Sequence, residues 1–298
     1  MRVGVVGHRG YDGLTDVLGR LTALARRLDI TLAFEPELHA IAKEHEVLTD
    51  PRRLDALLTL GGDGTLLRGA RALDGLAVPI LGINLGRLGF LTSCGVDDLE
   101  AGVERLAHGD FHAERRMTLD VRALDAVGME RMRWFALNDV VLHKGGFARM
   151  VSLDVAANGE SIASYSADGI VVATPTGSTA YNLSAGGPIV YPTVESIILT
   201  PISPHTMSIR SLVLPPSAEV TLRAEDGPEE LLVTVDGQVG TTFARGETLV
   251  ISRSERAVQI VRFPGTSFFA RMRLKLGWGG LVDRDERREE RLGAAGDR

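Results

Sequence analysis

Residues 1–112 alternate short apolar runs with amphipathic stretches. Apolar residues recur at helical spacing between Leu14 and Leu28, and the apolar runs on either side, Val3–Gly7 and Ile30–Phe34, predict buried strands. This alternation of strand and helix is typical of an α/β fold with a parallel sheet. The same series predicts a helix that begins at Pro36, a strand at Leu57–Leu60, a helix at Thr65–Leu73, a strand at Pro79–Ile83 and a helix at Val96–Leu106.

The pattern changes near residue 112, and from Met117 onward alternating runs are bounded by turn residues. The dipeptides Asn158-Gly159 and Asp236-Gly237 are strong signals for tight hairpin turns. This rhythm predicts a second domain that is rich in strands. Its strands are predicted at Leu119–Ala123, Trp134–Leu142, Val151–Ala157, Ile170–Thr174, Val220–Arg223, Leu231–Val235, Leu249–Ser252 and Val258–Val261.

The two patterns together predict an α/β N-terminal domain with a parallel sheet, followed by a β-rich C-terminal domain. The first is expected at residues 1–112 and the second at residues 113–263. A helical pattern returns over Ser267–Leu276, so the C-terminal segment, about residues 264–282, is expected to pack back on the first domain. Residues 283–298 hold six acids and five bases with little apolar content and are expected to form a disordered, charged tail.

Composition narrows the class of protein. With 298 residues, 44% of them hydrophobic and 24% charged, the chain reads as an ordinary soluble globular protein. A formal charge of −6 argues against a general electrostatic grip on nucleic acid or on an anionic membrane. The single cysteine, Cys94, excludes an intramolecular disulfide framework and a cysteine cluster for zinc or iron–sulfur. Because no apolar run suits a signal peptide or a membrane span, we expect a cytoplasmic protein.

Lysine usage excludes one common way of binding phosphate. The chain has three lysines, Lys43, Lys144 and Lys275, and none of them follows a glycine. A lysine-based phosphate loop needs a Gly-Lys pair, so this sequence does not contain one. Phosphate would have to be bound by backbone N–H groups, helix N-termini and arginines.

The sharpest candidate site is the junction Gly61-Gly62-Asp63-Gly64-Thr65, where a buried strand meets a helix. Glycines let the backbone approach a phosphate closely, and the helix N-terminus offers unpaired N–H donors. A carboxylate among phosphates is unfavourable unless it holds a metal ion or accepts a proton, which makes Asp63 a candidate base. Arg68 lies one helical turn beyond Gly64 and is expected to face the same crevice. The alternative is a glycine-rich turn in which Asp63 only caps the helix.

A second candidate is the pair Asn138-Asp139, which interrupts the apolar run from Trp134 to Leu142. Polar groups in a buried strand need partners, because leaving one unpaired costs about 1–3 kcal/mol. A ligand contact or a bulge would explain the pair, and so would an internal hydrogen-bond network.

The third candidate begins at Asp168-Gly169, where a strand opens into a stretch dense in hydroxyl groups and glycines that ends at Gly187. Ser178 or Thr179 is placed to cap a short helix. Backbone N–H groups and hydroxyls suit the oxygens of ribose and phosphate. The alternative is a capped turn that stabilises only its own backbone.

With these segments assembled, the chain resembles the NAD kinases. The glycine motif alone is shared with lipid kinases and phosphofructokinases, whereas the run Ala173–Tyr181 is far more specific. The resemblance rests on Gly61–Thr65, Gly82–Leu91, Ala136–Val141, Asp168–Pro188, Pro201–His205 and Asp236–Gln238, in that order along the chain.

The resemblance implies transfer of the γ-phosphoryl group of ATP to the 2′-hydroxyl of the adenosine ribose of NAD. Asp63 would be the general base that accepts the hydroxyl proton, and Mg²⁺ or another divalent cation would arrive with ATP. NAD would lie in the cleft on which the two domains close, with the β-rich domain as the NAD-binding domain. The chain would assemble as a homodimer or homotetramer, and its partners would be small molecules rather than nucleic acid or membrane.

The resemblance also implies which residues bind the substrates, with no metal ligand supplied by the protein. Gly61, Gly62 and Gly64 would form the turn that faces phosphate. The other implied binding residues are Asp63, Thr65, Arg68, Asn138, Asp139, Arg149, Asp168, Thr174, Thr179, Ala180, Tyr181, Asn182, Leu183, Ser184 and Gln238.

One departure from the family pattern and two alternatives remain. Many members carry Asn-Glu where this chain has Asn138-Asp139, so the shorter acid keeps the charge but changes its reach. A lipid or sugar kinase would share only the glycine motif and would leave Thr174–Ser184 unexplained. A nucleotide-binding regulator without chemistry would use Asp63 only as a cap.

Overall fold

The computed structural model describes residues 1–39, 41–42, 45–87, 89–145, 151–205, 209–226, 231–265 and 267–278. Within these ranges the strands form a twelve-stranded sheet and a six-stranded sheet. The larger sheet has a parallel part near the N-terminus and an antiparallel part that continues from it.

The parallel part is built from the first elements of the chain. These are β1 (Arg2–Gly7), α1 (Leu14–Arg27), β2 (Thr31–Phe34), α2 (Pro36–His39), β3 (Glu46–Val47), β4 (Ala56–Leu60), α3 (Asp63–Leu73), β5 (Pro79–Asn84), β6 (Cys94–Gly95) and α4 (Leu99–Ala107). The strand order is β3-β2-β1-β4-β5, and β4 is buried along its whole length. Helix α1 buries the face that carries Leu14, Leu18 and Leu21 against this sheet and α4. The predicted α/β half is confirmed.

The rest of the described chain is mostly antiparallel. Its elements are β7 (His112–Leu124), β8 (Glu130–Ala136), β9 (Asp139–Lys144), β10 (Val151–Ala157), β11 (Glu160–Ala167), β12 (Gly169–Ala173), α5 (Tyr181–Ser184), β13 (Ile197–Ile202), β14 (Leu212–Leu214), β15 (Val220–Asp226), β16 (Leu231–Val235), β17 (Val239–Phe243), β18 (Thr248–Arg262) and α6 (Phe268–Leu276). The six-stranded sheet has the order β14-β13-β12-β9-β16-β17. A large apolar cluster fills the space between the two sheets. The predicted β-rich half is confirmed.

Strand β18 joins the two parts of the larger sheet. It pairs with β7 and β15 in antiparallel fashion, and near its C-terminal end Gln259 and Ile260 pair with Pro79 and Ile80 in parallel fashion. β7 begins at His112, where the sequence placed the domain boundary. Because one sheet continues across this boundary, the division into separate domains at residue 112 stays a prediction.

Three predicted strands need correction. The run Trp134–Leu142 is two strands rather than one, because the Asp236 carboxylate takes the backbone N–H groups between them. Conversely, Leu249–Ser252 and Val258–Val261 belong to the single strand β18, whose register with β7 shifts between Arg253 and Ala257. The prediction also missed several strands. These are β3, β6, β11, β13, β14 and β17.

Helix α6 lies at the junction of the two halves. Its N-cap, Ser267, accepts a hydrogen bond from the backbone N–H of Ala270. Arg271 donates to backbone carbonyls of the first half, while the rings of Phe268 and Phe269 contact Tyr191 of the second. The segment thus packs back on the first half as predicted. The predicted tail, 283–298, lies outside the described residues. Within the part of the chain that is described, no helix has the length and apolar character needed to cross a membrane.

Candidate active site

The glycine turn after β4 is shaped by close packing. A Cβ atom on Gly61, whose φ is +157°, would lie 2.2 Å from Oγ1 of Thr65, so only glycine fits there. Gly62 is the N-cap of α3 and lacks a side chain to cap it. The first N–H groups of α3 therefore remain available to a ligand. Asp63 is the first residue of the helix rather than its cap, so the alternative in which it acts only as a cap is wrong.

A cleft of about 620 Å³ opens beside this turn, at the carboxyl ends of β1 and β4. Arg68 lines it, as expected from its spacing, and its guanidinium donates to Glu35 at 2.7 and 3.1 Å and to the carbonyl of Gly7 at 2.6 Å. Burial raises the pKa of Glu35, while the Gly7 N–H and Arg68 oppose that rise. The arrangement fixes a cation at the edge of the cleft. The full lining is Gly7, His8, Arg9, Gly10, Glu37, Gly62, Gly64, Thr65, Arg68 and Gln238.

The Asp63 carboxylate is absent from this lining and faces a different loop. Its Oδ2 accepts the N–H of Phe90 at 2.8 Å, and its Oδ1 accepts those of Leu91 at 3.0 Å and Thr92 at 3.4 Å. A Cβ on Gly89 would lie 1.9 Å from Oδ1, so this approach also requires glycine. The carboxylate is half-buried. Asp63 is thus held in one orientation beside the turn that lines the cleft.

A second carboxylate, Asp236, organises the segment between β8 and β9. Its oxygens accept the backbone N–H groups of Leu137 at 3.1 Å, Asn138 at 2.7 Å and Asp139 at 3.2 Å. Asp236 and Gly237 have φ values of +52° and +62°, which confirms the predicted tight turn. In the same turn, Gln238 donates to the carbonyl of Gly64 at 2.7 Å. This single turn therefore touches both the glycine motif and the Asn138-Asp139 pair.

Asp139 has a less favourable environment. Its side chain is only 4% exposed, and burial, followed by the nearby charge of Asp236, raises its pKa to about 7. Burial likewise raises the pKa of Asp236, but the three N–H donors and Arg71 oppose that rise. In the described residues no donor reaches the Asp139 carboxylate. At neutral pH this carboxyl group is therefore partly protonated and available to donate.

The segment after β12 packs against the 137–139 segment. Thr174 donates through its backbone N–H to the carbonyl of Asn138 at 2.8 Å and through its hydroxyl to that of Leu137 at 2.6 Å. A Cβ on Gly177 would lie 2.0 Å from the Asn138 carbonyl oxygen. Glycine at this position lets the segment pack directly on Asn138.

Inside this segment, the predicted side-chain cap is wrong. Neither Ser178 nor Thr179 caps α5, because Ser178 donates to the Pro175 carbonyl at 2.7 Å and accepts from the Val190 N–H at 3.1 Å. Asn182 is fully buried and donates to the carbonyls of Ser178 and Pro188, both at 3.0 Å. These side chains hold the loop in shape and leave others exposed.

Comparison with known proteins decides the family. Residues 22–111 match the model of the ATP-NAD kinase N-terminal domain, and residues 137–263 match that of the ATP-NAD kinase C-terminal domain. The NAD kinase of Gemmatimonas aurantiaca is 64% identical over 285 residues, which cover 96% of this chain and 99% of that protein. The chain belongs to the NAD kinase family. It is accordingly an enzyme that phosphorylates NAD, and the lipid kinase, sugar kinase and non-catalytic regulator alternatives are set aside.

Other NAD kinases are similar across most of the chain. The Heliobacterium modesticaldum NAD kinase is 44% identical over 228 residues, covering 76% of this chain and 80% of that one. An NAD kinase from Archaeoglobus fulgidus, solved in complex with ATP, superposes with a TM-score of 0.72 at 27% identity, covering 91% of this chain and 96% of that one. Yeast NADH kinase complexed with NADH has a TM-score of 0.86 at 24% identity, covering 94% and 88%, and shows the shared fold.

The NAD kinase structure brings most of the predicted site residues together. Gly62, Gly64, Thr65 and Arg68 line the cleft, with Gly61 and Asp63 in the same turn. The Asp236–Gln238 turn joins this motif to the 137–139 segment, against which Thr174 packs. Around α5, Tyr181 and Ser184 are exposed, and Thr179, Ala180 and Leu183 are half-buried. The side chains of Thr174 and Asn182 bond to the loop itself and also to Leu137 and Thr200, respectively, so a contact between them and NAD stays a prediction.

Two predicted residues are not brought to this place. Asp168 precedes β12, at the opposite end of that strand from Thr174 and therefore about 20 Å away along it. It forms an ion pair of 2.6 Å with Lys144. Its predicted contact with NAD stays a prediction. Arg149 lies outside the described residues.

Sequence reasoning missed several residues that shape the NAD kinase site. Glu35 orients Arg68, the Phe90–Thr92 loop holds Asp63, and Arg262 and Arg271 contact that loop from behind. The one usable signal was Arg262, a charged residue in the apolar run Val258–Phe263. Backbone donors such as the Phe90 N–H cannot be recognised from the type of residue that carries them.

Proposed function

We propose that Asp63 is the general base with which this NAD kinase transfers the γ-phosphoryl group of ATP to the 2′-hydroxyl of the adenosine ribose of NAD, forming NADP. The observation that carries the proposal is the meeting of four separate sequence motifs. Gln238 bonds to Gly64, Asp236 bonds to the 137–139 segment, and Thr174 bonds to the same segment. A phosphate-facing turn and a candidate nucleoside site are thus joined by one hairpin turn.

The cleft beside the turn suits the triphosphate of ATP. It offers the N-terminal N–H groups of α3, whose positive dipole end favours anions, together with His8, Arg9 and Arg68. The described residues contain no group of three or more His, Cys, Asp or Glu side chains arranged to hold a metal ion. We therefore assign Mg²⁺ to the substrate, as MgATP, where it neutralises phosphate charge.

Asp63 has the geometry for accepting a proton from a hydroxyl. A carboxylate offers about four lone-pair directions, and the backbone N–H groups of Phe90, Leu91 and Thr92 occupy three of them. The remaining one can accept the 2′-hydroxyl proton while the hydroxyl oxygen bonds to the γ-phosphorus. The bond from that phosphorus to the β,γ-bridging oxygen then breaks, and ADP leaves. Phosphoryl transfer depends mainly on such positioning and on charge stabilisation.

NAD is assigned to the surface formed by the 137–139 segment and α5. The exposed ring of Tyr181 offers a stacking surface, and Ser184 offers a hydroxyl. Asp139, partly protonated because of its raised pKa, can donate to an acceptor atom of NAD. Asp168 and Arg149 are retained as NAD-contacting residues on the family resemblance alone.

The family resemblance and the acidic composition support two further assignments. We propose a homodimer or homotetramer in the cytoplasm, with small molecules as its ligands and without nucleic acid or membrane as a partner. Light scattering coupled to size-exclusion chromatography measures the assembly directly, and a monomer at micromolar concentration would overturn the oligomer.

One assay tests the reaction. The chain is incubated with MgATP and, in parallel, with NAD, NADH, diacylglycerol and fructose 6-phosphate, and ADP release is measured. We expect turnover on NAD with NADP as product, identified by an NADP-dependent dehydrogenase. Turnover confined to the lipid or the sugar would overturn the proposal. A parallel reaction with polyphosphate in place of ATP tests whether other phosphoryl donors are accepted.

A further inference from the structure

The loop that holds Asp63 has two hydrogen-bonding faces. Its N–H groups at Phe90, Leu91 and Thr92 point to the carboxylate, while its carbonyl groups point to two arginines on the other side. The peptide groups that join these residues therefore lie between a carboxylate and guanidinium groups. Hydrogen bonds in such a chain polarise and strengthen one another.

The two arginines come from the last part of the described chain. Arg262, at the end of β18, donates to the carbonyls of Phe90 and Leu91, both at 3.0 Å, and to that of Thr92 at 3.1 Å. Arg271, on α6, donates to the carbonyls of Phe90 at 3.3 Å, Ser93 at 3.4 Å and Thr92. Phe90 and Thr92 are thus held by both side chains.

We propose that Arg262 and Arg271 are positioning residues for phosphoryl transfer: by holding the carbonyl groups of the Phe90–Ser93 loop, they fix the N–H groups that orient the Asp63 carboxylate. The inference rests on the proposed role of Asp63 as the base. It makes α6 part of the machinery that orients the base, although α6 lies about 200 residues along the chain from Asp63.

The free-energy cost of burying these arginines supports a role for them beyond stability. Arg262 and Arg271 are 6% and 8% exposed, and they lie near a third buried arginine, Arg116, which is 3% exposed. In the described residues one carboxylate, Glu114, bonds to both Arg262 and Arg116. Burial and the neighbouring arginines lower the pKa of Arg262 to about 9. Carbonyl groups satisfy both guanidinium groups, and the charge of Asp63 acts on Arg271, but within the described chain the three buried cations have one bonded carboxylate among them. Because removing such charges from water is costly, they gain little net stability over apolar residues of similar size.

A purely structural role makes a different prediction from a positioning role. If Arg271 only anchored α6, its loss would lower activity by the same factor whatever residue stood at position 63. If Arg271 acts through the Asp63 carboxylate, its loss should not lower activity further once that carboxylate has been removed. A double-mutant cycle between the two positions separates these cases.

The cycle uses the full-length enzyme with saturating MgATP and varied NAD. Arg271→Gln is prepared in the wild-type and in the Asp63→Asn background. Arg273→Gln is the matched control, because Arg273 is exposed on the same helix and forms no bond with the described residues. We expect Arg271→Gln to lower kcat about ten-fold or more while KM for NAD changes less than about two-fold. In the Asp63→Asn background the same change should alter the residual rate less than about two-fold, and Arg273→Gln should leave kcat unchanged.

Arg271→Lys provides a second variant if Arg271→Gln fails to fold. Its ammonium group can still donate to the Phe90 and Thr92 carbonyls. The kcat of Arg271→Lys should therefore lie between those of Arg271→Gln and wild type, about three-fold below wild type. Equal losses in both backgrounds, or no loss at all, would overturn the inference while the role of Asp63 stood. Near-wild-type turnover of Asp63→Asn alone would overturn the proposed function and this inference with it.

Discussion

Asp63 and Asp139 are two carboxyl groups of one site in opposite surroundings. Asp63 is half-buried and receives three backbone N–H donors from a glycine-containing loop. Asp139 is buried, faces a second carboxylate, and has no donor among the residues that the structure describes. The first is oriented with a lone pair to spare, as a base requires, whereas the second retains a proton toward neutral pH and is suited to donate. Environment, rather than residue type, distinguishes the two roles that we propose.

The largest effect on activity is expected from a change at Asp63. Replacing it with Asn keeps the size of the side chain and removes the proposed base, so kcat should fall about 10²- to 10⁴-fold while the protein stays folded. Asp139→Asn makes the same chemical change without removing the proposed base. Its amide N–H group can still donate to NAD, so its kcat should fall far less. Steady-state assays with NAD and MgATP measure both. Retention of near-wild-type turnover by Asp63→Asn would remove it from the mechanism.

The Asp139 side of the comparison depends on Asp236. In Asp236→Ala the N–H groups of Leu137, Asn138 and Asp139 lose their acceptor, and alanine is strained at a φ of +52°. We expect the free energy of unfolding to fall by about 3 kcal/mol. Asp236→Asn, which keeps one acceptor oxygen and tolerates this φ, should lose less. Urea denaturation measures both, and equal stability of Asp236→Ala and wild type would contradict this account.

The orientation of Asp63 is tested without touching a titratable group. In Gly89→Ala the new Cβ would lie 1.9 Å from Oδ1 of Asp63, so the carboxylate or the loop must move. A displacement on this scale should lower kcat about ten-fold or more. Gly95→Ala is the control, since a Cβ there meets no atom within 4 Å. An unchanged kcat in Gly89→Ala would show that the position of Asp63 does not limit the rate.

The smallest expected effect concerns the charge of Asp139. Its folded-state pKa of about 7 lies above the ordinary value of 3.8, so between those pH values the folded state binds more protons than the unfolded state. The stability that this group contributes is therefore greatest at low pH and is lost as pH rises through about 7. Asp139→Asn lacks this loss, so its stability relative to wild type should rise between pH 4 and pH 8, with no advantage at pH 4. Thermal unfolding of both proteins at pH 4 and pH 8 measures this effect. If the difference in stability between Asp139→Asn and wild type were the same at both pH values, the raised pKa would be refuted.

Local patterns made part of this site predictable. The position of Gly61–Thr65 followed from a buried strand, glycines and a helical pattern within a dozen residues, and the structure has that order. The partners of Asp63 could not be read in this way. They are backbone N–H groups 27 to 29 residues away, which no side-chain pattern marks. The break in Trp134–Leu142 has a similar origin, since its cause, Asp236, lies 97 to 99 residues further on.

Strand β18 has a mechanical consequence. It spans fifteen residues and is bonded to β5 of the parallel half and to β7 and β15 of the antiparallel half. A hinge motion that opened the two halves would have to break the parallel pairing of Gln259 and Ile260 with β5. Substrate entry and NADP release are therefore expected to depend on side chains and loops at the rim of the cleft, while the frame behind them stays fixed.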